Sequence, residues 1–292
     1  MARFMLAVCS ALHFLPSVLG QSADEKKATL EYLKGLRSKD GSFALAKAGP
    51  MADPTLRSTS TATRALRYWG GEVPSPDQTA KYVASCFDKA SGGFAPTPGG
   101  KPDVFTTAVG LMAVVDLKMP LDQYADPAVK YLFASAKSFD EVRIGAAALD
   151  TIKKRPAQAD DWLKEIAKLK NPDGTFGKGT GQARDTGGAV AAILRLGGKV
   201  EQRDAVVKAI KDGQRADGGF GKEDSPGSDL ETSYRVLRCF HMLKEKPDDP
   251  KLRAFIAKCR NADGGYGVAP GQPSNISGTY FAGIILYWLD QK

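Results

Sequence analysis

The sequence predicts an all-α protein in which six helical hairpins close into a ring, an (α/α)6 toroid, and three observations predict it. The first is a recurring glycine–aromatic turn: Asp40-Gly41-Ser42-Phe43, Ser91-Gly92-Gly93-Phe94, Asp173-Gly174-Thr175-Phe176-Gly177, Asp217-Gly218-Gly219-Phe220-Gly221 and Asp263-Gly264-Gly265-Tyr266-Gly267. Its aromatics lie 51, 44 and 46 residues apart, with one gap of 82 that spans two periods and must hold a degenerate copy. Self-similarity at this period marks a repeat architecture. The second is an alternation of helix character. The segment before a turn is amphipathic and Lys-rich, as in Lys251 to Lys258, and the segment after it is apolar, as in Tyr280 to Trp288. Half-polar helices form an outside, and helices apolar nearly all round form an inside. The third is the chain's end. An open array needs polar capping repeats, yet the last unit finishes on Phe281, Ile284, Ile285, Leu286, Tyr287 and Trp288. Closure onto the first unit gives those residues a partner.

Residues 1–20 read as a signal peptide. Arg3 supplies the positive start, Phe4 to Leu15 the apolar stretch, and Val18 and Gly20 the small residues at −3 and −1, which places cleavage after Gly20. The expectation is a secreted or periplasmic chain of residues 21–292 forming one domain. No other apolar run reaches the ~20 residues of a membrane helix, so the mature chain is not expected to be an integral membrane protein. It keeps Cys86, Cys239, Cys259 and His241. Three cysteines are no disulfide framework, and the strict geometry of a disulfide weighs against a Cys239–Cys259 pair on neighbouring helices. The whole chain carries a net charge of +8. Its basic residues form no run and no stacked aromatics accompany them, which speaks against nucleic acid as a partner.

The first unit (24–69) opens with a helix from Asp24 to Arg37, with Leu30, Leu33 and Leu36 at helical spacing. Its second helix runs from about Asp53 to Trp69 and stops at Gly70-Gly71 and Pro74. The second unit (77–117) pairs Asp77–Lys89 with Asp103–Leu117. The third (126–154) is the degenerate copy, with Ser138-Phe139 where the glycine turn belongs and a partner helix from about Asp140 to Lys154. The fourth (160–196) pairs Asp160–Leu169 with Asp185–Leu196, the fifth (203–243) Arg203–Gln214 with Asp229–Leu243, and the sixth (249–290) Asp249–Arg260 with Asn275–Leu289. In the turns, Gly41, Gly93, Gly174, Gly219 and Gly265 are expected to take positive φ where the outer helix ends. The aromatic that follows plugs the space beneath. Asp53, Asp103, Asp185, Asp229 and Asn275 stand at inner-helix starts, where a short side-chain oxygen caps free backbone N–H groups. Asp103, Asp185, Asp229 and Glu231 also form a candidate set of carboxylates at one rim, the pairing that glycoside hydrolysis needs.

These turns carry a resemblance. Gly-Gly-Phe/Tyr-Gly followed by a Pro/Gly loop and an acid-capped apolar helix resembles the prenyltransferase and squalene-cyclase repeat, most closely that of protein prenyltransferase β subunits of the geranylgeranyl type. Gly264-Gly265-Tyr266-Gly267-Val268-Ala269-Pro270-Gly271-Gln272 is similar to that family's repeat, and the likeness extends over residues 24–290. It implies a six-hairpin α/α toroid with an apolar central funnel and an isoprenoid ligand. Phe105, Tyr234, Tyr280 and Phe281 would line the tunnel, and Arg57, Arg143, Arg184 and Arg235 would face a diphosphate at its mouth. It also implies a catalytic zinc held by an Asp-x-Cys pair and a His. The matching positions are Asp229-Leu230-Glu231 and Gly278, so a carboxylate stands for the thiolate and a glycine for the imidazole. A catalytic zinc needs three protein ligands, and none is expected here unless other residues rebuild the site. Cys239 and His241 are too far along their helix, and nothing converges on His241. The cyclases' Asp-x-Asp-Asp and the Cys-Gly-Glu-Gln of thioester domains are absent. Two function classes follow: an exported toroid binding an isoprenoid or other lipid-like ligand in its funnel, with prenyl transfer doubtful, and a non-catalytic repeat module binding protein or cell-envelope polymer through its rim loops.

Overall fold

The computed structural model describes residues 21–49 and 52–291; the expected signal peptide and its cleavage site at Gly20 lie outside them. Among the described residues there are twelve α-helices: α1 (Ala23–Lys34), α2 (Leu56–Tyr68), α3 (Pro76–Ser85), α4 (Val104–Asp116), α5 (Ala125–Ser135), α6 (Phe139–Thr151), α7 (Ala159–Ala167), α8 (Gln182–Arg195), α9 (Arg203–Asp212), α10 (Leu230–Leu243), α11 (Asp249–Lys258) and α12 (Ile276–Asp290). The even-numbered helices pack in sequence, α2 on α4 and so on to α10 on α12, and α12 then packs on α2. The ring is closed. The odd-numbered helices lie against it from outside. None of the described helices is long and apolar enough to cross a membrane.

Sequence chemistry explains where the inner helices begin. Asp103, Asp229 and Asn275 are N-caps as expected, their side chains accepting the N–H of Thr106 (2.8 Å), Thr232 (2.7 Å) and Gly278 (2.8 Å). Two expected caps are not. Helix α2 starts after Thr55, which exchanges side-chain and backbone bonds with Ser58, and Asp53 stays outside, exposed. This reciprocal capping box satisfies two orphan N–H groups where a lone Asp satisfies one. Helix α8 starts early, fed by a single 3-10 turn over Gly179–Gly181, which leaves Asp185 inside the first turn. Most outer helices end two to four residues before their expected limits. At those points the chain tightens into i to i−3 bonds, as in Leu36 N–H to Leu33 O (3.2 Å) and Cys86 N–H to Val83 O (3.2 Å).

The repeated turn also differs in detail. It is a separate tight turn a few residues past the helix, closed in the last unit by Gly264 N–H to Asn261 O (3.1 Å) and Asn261 N–H to Gly265 O (2.9 Å). In each glycine pair the positive φ falls on the first residue, Gly92, Gly218 and Gly264, and at Gly41 and Gly174 in the single-glycine copies. Gly93, Gly219 and Gly265 do not share it. They are small for packing reasons: a Cβ on Gly265 would lie 2.8 Å from the Tyr32 ring and 2.7 Å from Ser274. The turn's aspartate receives the N–H two residues on, Asp263 from Gly265 and Asp217 from Gly219, both at 3.0 Å. The aromatics Phe43, Phe94, Phe176, Phe220 and Tyr266 are buried as expected. Each donates its backbone N–H to a hydroxyl on its own inner helix, respectively Thr59, Thr107, Thr186, Ser233 and Thr279, at 2.9–3.1 Å.

Rungs between units repeat and then close. Leu56 N–H reaches Pro96 O in unit two, Leu230 N–H reaches Val268 O in unit six, and Ile276 N–H in unit six reaches Leu45 O in unit one, all at 2.8 Å. Thr79 Oγ1 donates to Gly41 O (2.9 Å), and Thr29 Oγ1 donates to Gly264 O (2.8 Å). Trp69 Nε1 donates to Thr279 O (3.0 Å) across the same seam. Cys86, Cys239 and Cys259 are buried free thiols, and burial pushes Cys239 and Cys259 up to about 12.

Candidate functional site in the toroid lumen

The inner helices expose one stripe each to the central lumen, and the stripe of α10 defines it. Glu231, Tyr234, Arg235 and Arg238 recur at three- and four-residue spacing, one face of a helix, opposite the buried Val236, Leu237 and Phe240. Arg235 Nη1 reaches Asp140 on α6 at 3.2 Å, although α8 stands between those helices in the ring. That contact crosses the lumen. The space therefore carries more charge than the apolar funnel that the resemblance implies.

Toward the helix N-termini the charges pair off. Arg235 Nη2 binds Glu231 at 2.6 Å, Arg143 Nε binds Asp140 at 3.1 Å, and Lys222 lies 3.7 Å from Glu231. Burial resists ionisation of Glu231, but Arg235 and Lys222 outweigh it and hold the carboxyl below the usual range. Asp140 behaves likewise beside Arg235 and Arg143. Of the four grouped carboxylates, only Glu231 enters this network. Asp103 caps α4 and binds Arg57 at 2.9 Å, and Arg57 itself covers the Phe105 ring at 5.2 Å. Asp229 gives both oxygens to Thr232. Asp185 lies over the Gly177 turn beside Arg184, 3.4 Å away. Arg57, Arg143 and Arg235 thus already have carboxylate partners.

The positions matching the family's zinc ligands do not fit the metal. Glu231 is committed to Arg235. A Cβ on Gly278 would stand 2.5 Å from Tyr266 O and 2.7 Å from Gly267 O, so this corner of α12 has no room for an imidazole. Among the described residues no group of three His, Cys, Asp or Glu converges on a point. His241 is exposed and stacked on Trp288, with ring centroids 5.2 Å apart.

Deeper in, two of the expected tunnel residues meet. The Tyr234 and Tyr280 hydroxyls are 3.4 Å apart, and Tyr234 packs on Phe281 (5.1 Å) and Trp288 (5.8 Å). Sequence reasoning missed what surrounds them. Arg238 donates to the Tyr234 hydroxyl and covers the Tyr234 and Trp288 rings at 4.7 Å each. Arg64 binds Asp116 at 2.9 Å. Arg195 stands 3.8 Å from Asp150. Burial opposes a charge on Tyr234, yet Arg238, Arg195, the Tyr280 hydroxyl and Arg64 together pull its own hydroxyl below the usual tyrosine range. Burial, and then Tyr234 itself, push Tyr280 the other way. A signal existed. Arg64 and Arg238 follow the rim residues Arg57 and Glu231 by seven residues, two helical turns down the same face.

The family model described as prenyltransferase alpha-alpha toroid domain matches residues 2–78, 66–137 and 142–292. A drimenyl diphosphate synthase from Streptomyces showdoensis is 27% identical over 148 residues, 45% of this chain and 28% of that enzyme, so the likeness spans under a third of the relative. Among solved structures, Candida albicans protein geranylgeranyltransferase-I complexed with GGPP superposes with a TM-score of 0.70 at 13% identity, covering 93% of each chain. The type II terpene cyclase MstE from Scytonema gives 0.64 at 11% identity, covering 91% of this chain and 96% of its own. At such identities these structures show the shared fold.

Proposed function

This chain belongs to the prenyltransferase alpha-alpha toroid domain family, and from that premise we propose that it is an exported member that holds an isoprenoid or similar lipid-like ligand in its lumen without zinc-dependent prenyl transfer. The observation that carries the second half is the corner at Gly278, where backbone oxygens fill the space a ligating side chain needs. The lumen supports the first half. Tyr234, Tyr280, Phe281 and Trp288 give an apolar wall along α10 and α12, and arginines give a polar floor for a charged end. The complexed GGPP of the Candida relative supports the ligand class by analogy of fold alone. Export rests on the Arg3 to Gly20 leader pattern.

The test uses purified residues 21–292. Zinc content after dialysis is expected to be nil, and a fluorescent geranylgeranyl analogue is expected to bind equally with and without chelator. One zinc per chain would return prenyl transfer to the front, and failure of the analogue to bind would remove the isoprenoid reading. A second reading has one observation in its favour. Tyr234, stacked on Trp288 and tilted against Tyr280, occupies part of the lumen with them, which suits a module that works through its rim loops on protein or envelope polymer.

A further inference from the structure

Three guanidinium groups in the deep lumen hold more positive charge than the carboxylates around them can balance. Arg64 has Asp116, but Asp116 also binds Arg67 at 2.6 Å. Arg195 is 7% exposed, its nearest carboxylate oxygen is 3.8 Å from Nε, and that buried Nε has no hydrogen-bond partner among the described residues. Arg238 has no carboxylate within ion-pair distance among the described residues; it rests on the Tyr234 hydroxyl and two ring faces. A buried cation without a partner is costly, and a guanidinium does not shed its proton at neutral pH. A counter-anion is the remaining remedy. Each element around Tyr234 contributes to its surroundings: Arg195 from α8, Tyr280 from α12, Arg64 from α2, and Arg238 from its own helix, with Arg143 of α6 close enough to feel its charge. Asp150 on α6 and Asp116 on α4 stand behind Arg195 and Arg64.

We propose that Arg195, Arg238 and Arg64 form an oxyanion-binding site in the deep half of the lumen, and that Tyr234, whose hydroxyl accepts from Arg238, is the proton-linked group that a bound oxyanion displaces from these guanidinium groups. It deepens the lumen reading above and rests on it only for where the ligand sits. The ligand class is a doubly charged oxyanion, sulfate-like or phosphate-like. Burial and Arg238 push the Arg195 guanidinium down from its usual range, which is the direction expected of a cation waiting for an anion. With the Tyr234 hydroxyl pulled below the usual tyrosine range, the sign is fixed: once it ionises the phenolate competes with the ligand, and while it is protonated the site is open.

The probe is inorganic sulfate, which stays a dianion across this range, titrated calorimetrically into residues 21–292 at constant ionic strength between about pH 6 and 9. Affinity is expected to fall by up to about ten-fold for each pH unit once Tyr234 ionises, one proton being taken up per anion bound. Tyr234→Phe should still bind sulfate and lose that slope, while Arg195→Gln should weaken sulfate at every pH. The wild-type chain supplies a readout that needs no variant. Tyrosinate absorbance should rise with a midpoint below the usual tyrosine range, and sulfate should move the midpoint upward. Geranyl sulfate, compared with sulfate, separates a free ion from the charged end of an isoprenoid: equal affinity assigns the former and tighter binding the latter. Absence of sulfate binding, an unchanged slope in Tyr234→Phe, or a tyrosinate midpoint indifferent to sulfate would each overturn the proposal. A flat sulfate titration beside a bound geranylgeranyl analogue sinks this inference alone. The opposite pattern sinks only the isoprenoid reading.

Discussion

Gly278 shows how one position can decide against an inherited chemistry. It lies in the first turn of α12, where an alanine in an unobstructed helix would gain about 1 kcal/mol over glycine. Here its Cβ would meet backbone at 2.5 Å, and a carbonyl belonging to the buried Tyr266 turn cannot rotate away. Overpacking of that kind costs about 1–3 kcal/mol. Gly278→Ala is therefore expected to destabilise by up to about 2 kcal/mol in urea unfolding, the net of the two effects. Gly227, with nothing within 4 Å of its Cβ position, is the control, and Gly227→Ala should shift little. A stabilised Gly278→Ala would mean that the corner can open and that the zinc argument fails. Glu231 makes the same point from the other side. A carboxylate can ligate zinc, but this one is already neutralised by Arg235 and Lys222.

At the scale of an element, the unit is a turn latched to its own inner helix. Thr186 shows the latch most fully, since its Oγ1 accepts Phe176 N–H and donates to Phe176 O, both at 3.0 Å and both buried. Valine keeps the shape and removes both bonds, leaving a buried N–H and a buried carbonyl unsatisfied. Thr186→Val is expected to cost about 1–3 kcal/mol by thermal or urea unfolding, and a neutral result would show that water or a shifted turn replaces the hydroxyl. The glycine–aromatic motif was legible because its chemistry is local: tight turns and caps need particular residues at fixed offsets. The latch was not, because Thr and Ser in a helix are unremarkable by pattern, and their partner lies 10 to 16 residues away through a loop of variable length. The same holds for the lumen. Tyr234, Tyr280 and Glu231 were nameable from the apolar stripes and the motif, but Arg195 and Arg238 look like solvated helix residues until the ring turns them inward. Asp53 and Asp185 failed as caps for a related reason, since the loop leading into each helix chose the start.

At the scale of the molecule, ring closure separates this chain from an open repeat array. In a solenoid each repeat touches only its neighbours, and losing a terminal one subtracts a single interface. Here unit six is neighbour to unit one. Thr29 donates to Gly264 O, Ile276 N–H to Leu45 O and Trp69 Nε1 to Thr279 O. Removing residues 247–292 would cut both seams at once. It would also delete Ile276, Tyr280, Ile284 and Ile285 from the core, each 6% exposed or less, which together contribute roughly 6–12 kcal/mol of apolar burial. A domain has about 5–15 kcal/mol in all, so the shortened chain is expected to be unfolded, with no cooperative melt by circular dichroism. A five-hairpin chain with a sharp transition would show that the toroid is a stack that happens to meet its own end. In that case the lumen, with Tyr234 and its arginines facing the lost α12, would have no fixed wall and no defined site.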